Sequence, residues 1–127
     1  MPAETQKIAM QLDADTRLCA AAGGVGRYFA DAAGLANSAV SGLQSAIVAM
    51  CNRELQYIGD SAQRLDITVT RTADRIEVVM RRRATDGSGK DSEEGMITGV
   101  DRVQHETQAE MAITRLTKYV GEHASAG

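Results

Sequence analysis

The stretch Asn37–Ile58, NSAVSGLQSAIVAMCNRELQYI, decides how the rest of the chain is read. Val40, Leu43, Ile47, Met50 or Cys51, Leu55 and Ile58 recur at steps of three and four. That spacing lines one face of an α-helix. Asn37 or Ser38 is placed to cap its start, and Gly59 follows its end. Glu54 falls one residue beyond the apolar face by this count. A long helix with one apolar stripe needs a second layer to cover it, so the flanking segments are read for strands.

Upstream, Ile8, Met10 and Leu12 alternate with Ala9 and Gln11, the pattern of a short half-buried strand. Asp13, Asp15 and Thr16 are candidates to cap a following helix. That helix is RLCAAAGGVGRYFADAA, residues 17–33, ended by Gly34 with Leu35 packing back on its last turn. Gly23, Gly24 and Gly26 lie inside it. Each costs up to about 1 kcal/mol relative to Ala, so a close-packed neighbour is expected against them.

Downstream, Leu65, Ile67 and Val69 alternate with polar residues, and so do Ile76, Val78 and Met80. Only the short connection Thr72–Arg75 separates the two runs, which makes them an antiparallel hairpin. From residue 84 to residue 99 the composition shifts to Gly, Ser, Asp, Glu and Lys, a loop. Met96, Ile97 and Val100 read as one turn of helix, and MAITRLTKYV at 111–120 as a final strand. The order β-α-α-β-β-loop-β implies an α+β fold, a two-layer α/β sandwich with both helices on one face of a mostly antiparallel sheet. The reading is of a single domain over residues 1–127, its ordered core about 7–120.

Composition narrows the function classes. Aromatic residues make up 3% of the chain, too few for platforms on which bases or sugars stack. A net charge of -3 argues against general nucleic-acid binding. No apolar run reaches the roughly 18 residues that span a bilayer, and MPAETQK lacks the apolar core of a signal peptide. Two cysteines do not make a disulfide framework. A cytoplasmic protein is expected.

Few side chains are spaced for chemistry. His105 and His123 stand alone and read as surface histidines. Cys19 and Cys51 fall on the apolar faces of the two helices and read as small core residues. GGVGRYF at 23–29 lacks the GK[ST] ending of a phosphate loop and reads as a packing site. TDGSG at 85–89 follows a strand, and its glycines would let backbone N–H groups approach a ligand. Arg81, Arg82 and Arg83 either bind phosphate or an acidic partner, or are the solvated charges of an edge strand.

Together these pieces resemble the small serine kinases of the GHKL ATPase superfamily, the anti-sigma-factor and stressosome switch kinases that work by partner switching. The resemblance covers about residues 7–120 in element order. It is carried by VGRYFADAAGL at 25–35, IEVVM at 76–80 and ITRLTKYV at 113–120. In that family the central helix carries Glu-x-x-x-Asn, a general base and a Mg²⁺ ligand. One register puts Ala49 and Arg53 at those positions, and the other puts Val48 and Asn52 there. Neither offers a carboxylate, and an alkyl group accepts no proton. The family's Asp-x-Gly-x-Gly, whose Asp binds adenine, corresponds to Thr85, Gly87 and Gly89, with Asp86 beside them. Its later Gly-x-Gly is echoed by Gly95 and Gly99.

The resemblance therefore implies a vestigial ATP site at Asn52, Arg53, Thr85, Asp86, Gly87 and Gly89, with no catalytic residue and no metal. It implies a regulator that binds a STAS-type anti-anti-sigma or stressosome protein, a phosphatase regulator or a sigma factor, and that is able to form a homodimer. No cofactor is expected, with ATP and Mg²⁺ as ligands if the nucleotide site survives. The alternative is an active serine/threonine kinase in which Asn52 holds Mg²⁺ and Glu54 is the base.

Overall fold

A computed structural model describes residues 5–13, 15–58, 64–83 and 98–120. The chain begins with β1 (Gln6–Leu12), enters α1 (Cys19–Ala32) through a 3-10 turn (Thr16–Leu18), and continues into α2 (Asn37–Ile58). Two strands follow, β2 (Leu65–Arg71) and β3 (Arg75–Arg83), and then a second pair, β4 (Arg102–Gln108) and β5 (Met111–Tyr119). The strands form one five-stranded sheet in the order β1-β2-β3-β5-β4. Every neighbouring pair is antiparallel. Both helices pack on one face, giving the expected two-layer α+β sandwich.

Local chemistry explains the turns. Asp15 caps the 3-10 turn, its carboxylate accepting from the Arg17 backbone N–H at 2.9 Å. The Arg17 guanidinium also donates to that carboxylate, and these hydrogen bonds hold Asp15 below the usual carboxylate range. α1 stops as its sequence foretells. Gly34 has a φ of 85°, Gly34 N–H donates to Asp31 C=O, and Leu35 N–H donates to Ala30 C=O. That paired pattern is a Schellman cap, and the left-handed residue it needs is one a glycine adopts without strain. α2 starts one residue earlier than a cap at Asn37 would place it, since Ala36 C=O already accepts from Val40 N–H.

The glycines of α1 separate into two kinds. A Cβ on Gly23 would lie 2.7 Å from Val48 Cγ2, and one on Gly26 would collide with Ile47 Cδ1. These two allow α1 and α2 to pack closely. A Cβ on Gly24 would meet nothing within 4 Å, so the expected close neighbour exists for two of the three glycines.

The core lies between the helices and the inward face of the sheet. Leu43, Ile47, Met50 and Cys51 of α2 meet Leu65, Ile67 and Val69 of β2 and Ile76, Val78 and Met80 of β3. Burying each Leu or Ile contributes about 1.5–3 kcal/mol. Cys19 and Cys51 are fully buried within this core, as their place on the apolar faces implied.

Three expectations are corrected. The final strand does not stand alone, because β4 pairs with it along its whole length. β4 escaped notice because RVQHETQ is polar at nearly every position, as suits an edge strand with one half-covered face. Val100 sits in a bend and not in a helical turn; Met96 and Ile97 lie outside the described residues. The triple arginine ends a strand flanked on both sides, since β3 lies between β2 and β5, so the edge-strand reading of its charges fails.

Candidate functional site

Glu54 lies one four-residue step beyond Met50 and one before Ile58, so it shares their inward face. Arg82 lies two residues beyond Met80 on β3, so the alternation of the strand points it at the helices. The two meet beneath the C-terminal half of α2. Arg82 Nε donates to Glu54 Oε1 at 2.7 Å, and each side chain is 3% exposed. Tyr57, three residues along the same helix, lays its ring over the Arg82 guanidinium, 4.3 Å from carbon to ring centroid. The sequence placed Glu54 beyond the apolar face; the structure puts it inside, because the arginine comes in with it.

The pair extends sideways across the sheet. Thr114 on β5 stands opposite Met80, and His105 on β4 stands opposite Thr114. Thr114 Oγ1 donates to Glu54 Oε2 at 3.4 Å, and His105 Nδ1 lies 3.0 Å from Thr114 Oγ1. A hydroxyl has one proton to give. With that proton directed at the carboxylate, Thr114 accepts from His105 Nδ1–H. His105 Nε2 is buried without a hydrogen-bond partner among the described residues. This histidine is half-buried and networked, not the surface residue its isolation in the sequence suggested.

Glu54, Tyr57, Arg82, His105 and Thr114 line a pocket of about 20 Å³. One water needs roughly 10–15 Å³ of such space, so the pocket is the size of a water and far smaller than a nucleotide. The chemistry open to the group is correspondingly narrow. Both oxygens of the Glu54 carboxylate are engaged inside the protein, Oε1 by the Arg82 guanidinium at 2.7 Å and Oε2 by the Thr114 hydroxyl at 3.4 Å.

The residues singled out from the sequence are distributed differently. Asn52 continues the row Gln44 and Val48, the two residues that meet Gly23, so it lies on the flank of α2 turned toward α1. It is half-buried, and its Oδ1 has no hydrogen-bond partner among the described residues. Arg53, also half-buried, is a further 100° round the helix. Thr85, Asp86, Gly87 and Gly89 lie outside the described residues, as do Gly95 and His123. Gly99 is described: its φ is 95°, and a Cβ there would collide with the Gly42 carbonyl of α2. Burial pushes the Cys19 and Cys51 thiols up, away from the thiolate form that reacts. Among the described residues no group of three His, Cys, Asp or Glu is placed to hold a metal ion, and no helix is long and apolar enough to cross a membrane.

Reading from the sequence missed Glu54 as a core residue, and with it Arg82, Thr114 and His105. A signal for Arg82 was present, since it keeps the parity of Ile76, Val78 and Met80. No family model and no curated protein matches the chain.

Proposed function

We propose that this chain is a regulatory protein of a partner-switching pathway, of the anti-sigma or stressosome kind, that acts in the cytoplasm by protein–protein binding and not by phosphoryl transfer. One observation carries the choice between binding and catalysis: Glu54, the carboxylate a kinase reading needs as its base, is buried in an ion pair with Arg82. A base must lie within hydrogen-bond reach of the proton it takes, and this one is buried with both oxygens occupied, by Arg82 and by Thr114. Asn52, the proposed Mg²⁺ ligand, sits on the flank facing α1, not on the flank where Glu54 meets the sheet. The two residues of the catalytic alternative therefore do not converge. The two-layer fold supports the resemblance to small switch kinases, from which the partner classes follow: a STAS-type protein, a phosphatase regulator or a sigma factor.

Titration calorimetry with ATP and Mg²⁺ tests this reading. No heat of binding at millimolar ATP is expected. Micromolar affinity would overturn the proposal and restore the kinase.

A further inference from the structure

We infer that the face of the sheet opposite the helices is a docking surface for an acidic protein partner. The inference rests on the binding reading above and gives it a place on the molecule. Strand register brings the outward residues into rows. Asp66, Arg81, Ile113 and Glu106 form one, Thr68, Val79, Arg115 and Gln104 the next, and Thr70, Glu77, Thr117 and Arg102 a third. Arg75 is shared between Asp74 at 3.3 Å and Glu77 at 3.7 Å, a group with one surplus negative charge. The face then sets Lys7, Arg81, Arg83, Arg102 and Arg115 against Asp66, Glu106 and that surplus carboxylate, an excess of two positive charges. The whole chain has a net charge of -3, so the positive excess on this face runs against the overall sign of the chain.

The arrangement matches what protein interfaces use. Val79 is half-buried and Ile113 is buried at 8% exposure, so the surface offered here is made by the arginines around them. Interfaces favour such arginines over lysines because the flat guanidinium grips a carboxylate at two points. None of the five cations forms an ion pair with another described residue. Arg115, in the middle row, is half-buried, and its buried Nε has no acceptor among the described residues. A nucleic acid fits less well. Asp66 and Glu106 would stand against its phosphates, and the aromatic ring on this face, Tyr119, is covered by Arg75 at 5.5 Å.

The test is an amide-resolved NMR titration of the full chain with a short oligoglutamate peptide, repeated with an oligothymidylate. Peptide-induced shifts are expected to cluster at Val79, Arg81, Gln104, Ile113 and Arg115 and to fade as salt rises. The double charge reversal R81E/R102E, at two exposed positions, is expected to weaken peptide binding about tenfold or more with the fold intact by circular dichroism. Shifts confined to α1 and α2, no binding at all, tighter binding of the oligothymidylate, or self-association that occupies this face would each overturn the inference. The ATP titration reads separately. Loss of this surface with ATP still unbound leaves the binding reading standing, whereas ATP binding with the expected shifts sinks that reading and keeps the surface.

Discussion

The central helix is held in two ways along its length. Against α1 the contact is one of shape, with Gly23 and Gly26 making room for Val48 and Ile47. Against the sheet, at its C-terminal half, the apolar contact is joined by one of charge, with Glu54 on Arg82 under the ring of Tyr57. Shape complementarity is tolerant, because a hydrophobe of similar volume refills the space at a cost below about 1.5 kcal/mol. A buried ion pair is intolerant. It adds little over an apolar pair of the same size, yet losing either member strands a charge away from water. The seam therefore sets how closely the helices approach, while the pair sets which turn of α2 stands over which residue of β3.

The largest effect that would break this contrast lies at the pair. Arg82→Met is expected to destabilise the fold by about 3–5 kcal/mol, because Glu54 is left buried and unpaired. The double change Glu54→Leu with Arg82→Met is expected to recover most of that loss, with a midpoint of urea unfolding close to the parent's. A double variant as unstable as the single one would show that the pair is worth far more than its apolar replacement.

A smaller effect is expected at the seam. Gly23→Ala places a methyl against Val48, whose branched side chain has one strongly preferred rotamer in a helix and cannot swing aside. Overpacking of this kind costs about 1–3 kcal/mol, more than the helix propensity regained, which is up to about 1 kcal/mol. The midpoint of urea unfolding should fall. A midpoint that rises would mean that α1 and α2 do not depend on bare backbone at this position.

Much of the fold was legible because its signals are local. The steps of Val40, Leu43 and Ile47 and the alternation of Leu65, Ile67 and Val69 each read off a single element, and the glycines of α1 were conspicuous in a helix. The buried pair was not legible in the same way. Glu54 and Arg82 are 28 residues apart, and each looks exposed when its partner is unseen. Arg82 was hidden further by Arg81 and Arg83, which do face outward. β4 was missed for a related reason: an edge strand carries little apolar alternation, and here Val103 and His105 were all that marked its inner face. The site residues taken from the family resemblance fared differently. Asn52 and Arg53 are on α2, but the sequence could not say that one flank of that helix is given to α1 and the other to the sheet.

Gly24 supplies the smallest effect and the sharpest control on the seam. It sits one residue from Gly23 in the same helix, is exposed, and has open space where a Cβ would go. Gly24→Ala removes backbone freedom from the unfolded chain and adds no clash. It is expected to stabilise the fold by about 0.4–1 kcal/mol, opposite in sign to Gly23→Ala. Because the two substitutions share chemistry, helix and neighbourhood, their difference isolates the contact with Val48 from helix propensity. If both stabilise, propensity governs α1 and the seam is loose. If both destabilise, the outer surface of α1 is itself covered in solution, and the helical side of the molecule then also engages a partner.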